Sequence, residues 1–260
     1  MAIRKILLPL QGATTTEAAF TTAVMIARMW DAHLAVLDVV PDRKQEGRMR
    51  NLFERMVAQH GLAIVSSKPN ANAPTASFTA LIGREPEVVA YQARLVDTVI
   101  VAHPASDKEV SSSDALHAVL FDSAKPVVIA PRAAPSTIGQ RICIGWNGAA
   151  ESAAAVLSAL PWLHRAQSIR VLWSDEYQRR GPFAPELETY LTLHDVKTDR
   201  RAFRAVNNSV GAGLLAAANH FACDLLVMGA YSHSRLRQFF LGGVTRHALE
   251  HATIPLMMHR

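Results

Sequence analysis

The stretch Asp224–Arg246, DLLVMGAYSHSRLRQFFLGGVTR, decides the fold because it sets an apolar strand, a turn, a basic loop and a helix start in a row. Its first residues form the short apolar run that is typical of a parallel strand buried on both faces. Gly229 ends this strand where a side chain would block the close approach of another backbone. Gly242 then opens a predicted helix, whose first N–H groups have no partner inside the helix and can bind a phosphate. These N–H groups belong to Gly243, Val244 and Thr245, with the Thr245 hydroxyl beside them.

This order of residues resembles the nucleotide loop of the universal stress protein family. The family loop begins with a glycine, and a second glycine follows after two residues. Nine residues later come a third glycine and a small hydroxyl residue. Here Ser232 replaces the second glycine, and Gly243 stands where the family usually has serine, while Val244 and Thr245 keep the pattern. The resemblance implies that the loop binds an adenine nucleotide, foremost ATP. It assigns the contacts to Gly229, Ser232, His233, Gly242, Gly243, Val244 and Thr245.

The sequence repeats itself with a period of about half of its length. The segment KILLPLQG at 5–12 aligns with RICIGWNG at 141–148, and each is followed by an alanine-rich amphipathic pattern. The segment DTVIVA at 97–102 likewise matches DLLVMG at 224–229. The repeat predicts a tandem protein with two domains similar to universal stress proteins. Their boundaries are predicted at 1–131 and 140–260, with a linker at 132–139.

Within each half, apolar runs alternate with helical patterns, which favours an α/β fold. We predict two similar open parallel sheets, Rossmann-like and similar to adenine nucleotide alpha hydrolases, with helices on both faces and ligands at the carboxyl ends of the strands. The short linker predicts that the halves pack as an internal pair, and the resemblance also allows a homodimer. Residues 66–74 read as an extra loop within the irregular region 61–74, and one strand is predicted at 197–205.

The two halves differ in the segment that carries the predicted phosphate site. After the strand at 97–102 the first half reads HPASDKEVSSSDALHAVLF, which has neither the glycine turn nor paired glycines at a helix start. The serines at 111–113 suit a helix cap. We therefore expect the N-terminal half to be a degenerate structural partner without a nucleotide loop.

In the family the first strand usually ends in an aspartate that contacts the nucleoside. The corresponding residues here are Gln11 in the first half and Asn147 in the second. Asn147 can donate and accept hydrogen bonds to adenine or ribose, or it serves only as the residue of an Asn-Gly turn. Trp146 and Trp173 border the base, or they fill the core, which is the ordinary place for tryptophan.

Composition argues against several classes of partner. The net charge of +5 comes from scattered Lys and Arg residues without an aromatic-interleaved stripe, so no nucleic acid is expected. No apolar run is long enough to span a membrane, and the N-terminus runs into a strand without the apolar core of a signal peptide. We expect a cytoplasmic protein in a reducing compartment, with Cys143 and Cys223 as buried small hydrophobes.

One rival motif points to a metal enzyme. The residues HALEH at 247–251 fit a His-x-x-Glu-His pattern, and two histidines four apart share a helix face that can bind zinc. A catalytic zinc also takes a third protein ligand, from well downstream in that group, and only nine residues follow His251. The sequence also lacks a Walker A loop and a G-x-S-x-G elbow. We therefore predict no enzyme beyond incidental ATP hydrolysis, and no metal beyond magnesium bound to the nucleotide.

Two further hypotheses stay open at this point. A domain pair with Ser232 and Asn147 at family positions could be a ligand-free module that binds another protein. The degenerate N-terminal half could also take a different small molecule, such as a lipid or a metabolite.

Overall fold

The computed structural model describes residues 2–10, 16–40, 48–65, 73–103, 114–231 and 243–260. These residues form two compact units, Met1–Ala134 and Pro135–Arg260. Each unit alternates strands with helices around a parallel sheet, so the predicted α/β fold is confirmed. Within the described ranges, no helix is long and apolar enough to cross a membrane.

The sheet of the first unit has the strand order β3-β4-β2-β1-β5-β6, and every neighbouring pair is parallel. Apolar rings fill one face, where Phe53 lies 6.4 Å from Phe20 and 5.3 Å from Phe78 between ring centroids. The elements are β1 Lys5–Leu10, α1 Thr16–Trp30, β2 His33–Val40, α2 Arg48–Gln59, β3 Ala63–Ile64, β4 Thr75–Ile82, α3 Glu85–Ala93, β5 Thr98–Val101, α4 Asp114–Asp122 and β6 Val127–Ile129.

The sheet of the second unit has the order β11-β10-β7-β8-β9, again with parallel pairs only. The first strand of the unit, β7, therefore lies between the second and the fourth, which is the doubly wound order. The elements are β7 Arg141–Gly145, α5 Ala150–Leu163, β8 Ser168–Trp173, α6 Ala184–Leu193, β9 Asp199–Ala202, α7 Val210–His220, β10 Leu225–Gly229, α8 Gly243–His251 and β11 Leu256–His259.

The two-residue strand β3, which the sequence did not predict, pairs with β4 through Ala63 and Thr75. It lies before the loop predicted at 66–74, of which residues 66–72 lie outside the described residues. One local prediction needs correction, because the strand predicted at 197–205 is shorter and spans only Asp199–Ala202. After Phe203, whose N–H still donates to the carbonyl of Trp173 at 2.9 Å, the chain leaves the sheet and turns at Asn207 and Asn208, where φ is 49° and 59°.

The central strands are buried because their sequences are almost continuously apolar. In β10 the side chains of residues 225–228 are at most 1% exposed. Cys143 in β7 and Cys223 before β10 are free thiols buried in the same core. A hydrogen bond with Cys223 and burial both raise the pKa of the Cys143 thiol far above its usual range. It therefore stays protonated, as expected of a small buried hydrophobe.

The repeat is visible in one polar contact that both units share. In the first unit Asp97 accepts hydrogen bonds from the backbone N–H groups of Arg4 and Lys5, at 2.7 and 2.9 Å. In the second unit Asp224 accepts from those of Gln140 and Arg141, at 3.1 and 2.8 Å. Asp97 therefore joins the start of β1 to the start of β5, and Asp224 joins the start of β7 to the start of β10.

We expect Asp224→Ala to lower the free energy of unfolding by about 1 to 3 kcal/mol, because two backbone N–H groups lose a charged acceptor. Chemical denaturation followed by circular dichroism measures this change. Asp175→Ala, which removes an exposed carboxylate of the same unit, is the matched control. Equal stability of the two variants would contradict this role for Asp224.

Candidate functional site

A cavity of about 330 Å³ lies at the carboxyl edge of the second unit's sheet. This is the edge where open parallel sheets bind ligands, because loops from several strands meet there. The walls come from the ends of β7 and β10, the loop after β8, and the first residues of α7 and α8. The lining residues are Asn147, Gly229, Tyr177, Arg179, 208–211 and 243–245.

Gly229 closes β10 against the start of α5. A Cβ atom at this position would lie 2.5 Å from the backbone nitrogen of Ser152 and 2.7 Å from the carbonyl carbon of Glu151. No real side chain tolerates such contacts with backbone atoms. The close backbone approach predicted at Gly229 is therefore present, and it lets the end of β10 open directly into the cavity.

The start of α8 forms the second wall. Gly243 is its first residue, and a Cβ atom there would meet nothing within 4 Å. Thr245, in the same turn, is only 6% exposed. By helix geometry the first N–H groups of α8 have no intrahelical partner, so they can serve an anion in the cavity. The predicted contacts Ser232, His233 and Gly242, and Gln11 of the first half, lie outside the described residues.

The start of α7 forms a third wall that sequence reasoning missed. Ser209 caps the helix: its Oγ accepts from the N–H of Ala212 at 3.2 Å, and its carbonyl accepts from Gly213 at 3.1 Å. Ser209 therefore binds two of the first four N–H groups of α7. The other two belong to Val210 and Gly211, and both residues line the cavity. The signal was present, because a serine after two asparagines is a typical helix start.

The two helix starts lie side by side. A Cβ atom at Gly211 would be 2.6 Å from the Cβ of His247 in α8, so only glycine allows this contact. Two positive helix ends therefore meet at one cavity, and each favours negative charge within its first turn.

Asn147 has the turn role that was one of its two predicted roles, and it also lines the cavity. Its Oδ1 accepts from the N–H of Ala149 at 3.0 Å. Its carbonyl accepts from the N–H of Arg179 at 2.7 Å. Asn147 thus joins the end of β7 to residues 174–183, here called the β8–α6 loop.

The β8–α6 loop is held tightly against the β7–α5 turn. The indole N–H of Trp146 donates to the carbonyl of Pro182 at 3.0 Å. A Cβ atom at Gly181 would lie 1.9 Å from the carbonyl oxygen of Gly148, so the two backbones touch. Trp146 is 4% exposed and Trp173 is half-buried, and neither is among the described residues that line the cavity. The structure places Trp146 in the core, the second of its predicted roles, and Trp173 at the half-buried end of β8.

Arg179 gives the cavity its charge. Its Nε is buried without a hydrogen-bond partner among the described residues, and its Nη1 donates to the carbonyl of Gln178 at 3.2 Å. Burial raises the pKa of Tyr177 above its usual range, against the opposing effect of the Arg179 charge, so the phenol stays neutral at pH 7. Among the described lining residues none is acidic, which makes the cavity positive.

In the rival HALEH motif the two histidine rings stack on each other. The rings of His247 and His251 lie parallel, with centroids 4.2 Å apart and an interplanar angle of 4°. Glu250 accepts from Arg246 at 2.6 Å. In the parts of the chain that the structure describes, no group of three or more His, Cys, Asp or Glu residues could hold a metal ion.

The family model described as "Universal stress protein family" matches residues 140–260, the part of the chain that contains this cavity. The C-terminal half of the chain is therefore a domain of the universal stress protein family, as the loop predicted. No curated protein sequence matches this chain significantly.

Solved structures extend the likeness of fold over both halves. A universal stress protein from Archaeoglobus fulgidus is 13% identical, with a TM-score of 0.74 over 98% of this chain and 96% of that chain. A functionally unknown protein from Pseudomonas aeruginosa is 14% identical, with a TM-score of 0.63 over 99% and 92%. At these identities the likeness concerns the fold, which agrees with two similar domains in tandem.

The glycines at the two walls should respond differently to substitution. We expect Gly229→Ala to lower the free energy of unfolding by about 1 to 3 kcal/mol, because the new methyl group collides with the backbone of α5. Gly243→Ala should leave it unchanged or raise it by up to about 1 kcal/mol, because alanine favours a helix and meets no neighbour. Thermal and chemical unfolding of the two variants check this contrast, and equal losses would contradict it.

Proposed function

We propose that the C-terminal unit binds an adenine nucleotide, foremost ATP, in the cavity at the carboxyl edge of its sheet. The observation that carries the proposal is the convergence of two helix starts and Arg179 on one cavity, whose described lining residues include no acidic one. Backbone N–H groups and the dipoles of both helices favour phosphate, and the guanidinium adds a full positive charge.

The phosphates are assigned to the start of α8, where Gly243 leaves open space and the buried Thr245 belongs to the same turn. The family loop implies the same place. The nucleoside is assigned to the side of Asn147, whose Oδ1 holds the turn and whose amide nitrogen can donate to the base or ribose. A magnesium ion would arrive with the nucleotide.

The role that follows is regulation by nucleotide occupancy, as in a stress response, rather than catalysis. No described residue at the cavity forms a pair of nucleophile and base, since its lining carries amides, hydroxyls, a phenol and one guanidinium. The first unit is assigned the part of a structural partner.

Isothermal titration calorimetry with ATP and magnesium at low ionic strength tests the proposal. We expect about one site per chain. An absence of binding at millimolar nucleotide would contradict it and would favour the ligand-free interaction module.

A substitution at Gly243 separates binding from folding. We expect Gly243→Asp to weaken ATP binding at least tenfold, because it puts a negative charge where the first turn of α8 should receive phosphate. An acidic residue in a first helical turn is itself favourable, so the fold should keep its stability. Gly243→Asn is the matched neutral control, and equal ATP affinity of the two variants would show that the phosphate is elsewhere.

The Thr245 hydroxyl should make a smaller contribution. We expect Thr245→Val, which keeps the shape of the side chain, to weaken ATP binding by about 0.5 to 1.5 kcal/mol, the range for one neutral hydrogen bond. Titration of the folded variant measures the loss. A loss as large as that of Gly243→Asp would instead indicate that the valine disturbs the whole turn.

A further inference from the structure

Arg179 is a cation held beside the cavity, and no acidic residue in the described part of the chain pairs with it. Other arginines of the unit pair with carboxylates: Arg170 donates to both oxygens of Asp199, at 2.7 and 2.6 Å, and Arg200 donates to Glu188 at 2.8 Å. Among the described residues, the Arg179 side chain donates only to the Gln178 carbonyl, and its Nε is buried without an acceptor.

A buried donor on a charged group costs free energy when it has no acceptor. The described lining of the cavity supplies no carboxylate that could offset this cost. Instead, the positive ends of α7 and α8 lie at the same cavity and repel the guanidinium. An anionic ligand in the cavity would offset the charge of the guanidinium and of both helix ends.

The Arg179 side chain is not required to hold its own loop. The β8–α6 loop is fixed by the bond from Trp146 to Pro182, by the backbone bond from Arg179 to Asn147, and by the contact of Gly148 with Gly181. These contacts use backbone atoms of the loop and would survive a change of the Arg179 side chain. The loop therefore presents the guanidinium to the cavity as a preformed group.

We infer that Arg179 binds the anionic part of the ligand and makes this site select nucleotides by the number of phosphates they carry. The inference rests on the proposed function for the nucleotide, whereas the role of Arg179 toward an anion rests on the geometry of the cavity. It assigns to the β8–α6 loop a specificity residue that lies outside the glycine loop.

The test compares Arg179→Gln with Arg180→Gln, because Arg180 is the exposed neighbour in the same loop and its loss changes the net charge equally. Titrations with ATP, ADP, AMP and adenosine are made at one ionic strength. In the parent protein we expect affinity to rise with the number of phosphates. Arg179→Gln should weaken ATP binding by about 10- to 100-fold, the range for a hydrogen bond to a charged group, and should hardly change adenosine binding.

Arg180→Gln should leave the order and the size of these affinities nearly unchanged. Arg179→Lys, which keeps the charge but loses the planar donors, should fall between the parent and Arg179→Gln, and it replaces Arg179→Gln if that variant does not fold. If Arg179→Gln, or Arg179→Lys in its place, retains the parent's preference for ATP over AMP, the inference is overturned.

Inorganic tripolyphosphate tests the binding of an anion by Arg179 without a nucleoside. It should raise the thermal unfolding midpoint of the parent and of Arg180→Gln, but not that of Arg179→Gln. If tripolyphosphate acts through Arg179 while ATP binds no better than tripolyphosphate, the anion role stands and the proposed nucleotide function falls. If the parent binds neither compound, both are overturned.

Discussion

The candidate site depends on the parallel pairing of β10 with β7. These strands are distant in sequence, yet Leu226 pairs with Cys143 and Met228 with Gly145, so both strands end at the same edge. The pairing brings Gly229 and the turn after β7 together. At such a point of an open sheet the order of strands reverses, and the crossover helices leave on opposite faces, which opens a crevice. A slip of one residue would put Met228 or Ala230 at the place where a Cβ atom collides with the backbone of Glu151 and Ser152, so the packing around Gly229 holds the register.

Duplication explains why the two units share a framework and differ at their ends. Asp97 and Asp224 make the same contacts at the amino ends of the sheets, where both units need their strands joined. At the carboxyl ends the constraint is weaker, because loops there do not form the core. In the second unit β10 ends at Gly229 and α8 begins at Gly243. In the first unit β5 ends and α4 begins without a glycine.

The electrostatics of the cavity follow from a residue that departs from the family pattern. Where the family usually has an aspartate, this chain has Asn147, which keeps the turn by capping the N–H of Ala149. An amide carries no charge, so the guanidinium of Arg179 next to it has no carboxylate there to pair with. The helix starts add further positive potential. The cavity is therefore more suited to a strongly anionic ligand than a site with an aspartate would be.

Some features of the fold and of the candidate site could be predicted from the sequence, and others could not. The apolar run of β10, the alternation of strands and helices and the glycine at the end of the strand are local patterns. Burial and backbone geometry constrain such patterns directly, so the fold and the family loop could be predicted. The roles of Asn147 and Trp146 could not be decided in this way, since either residue suits a turn, a core or a ligand.

Only the tertiary structure could bring Arg179 and the start of α7 to the cavity. Arg179 looks like any loop arginine in the sequence, and its position depends on a backbone bond to Asn147, which follows another strand. The start of α7 reaches α8 only because Gly211 lets His247 pack against it. The sequence by itself determined the main strands, the repeat and the likeness of the glycine loop to that of the family, which depend on local patterns. The tertiary structure decided which charges surround the cavity, because those charges come together only through contacts between distant segments.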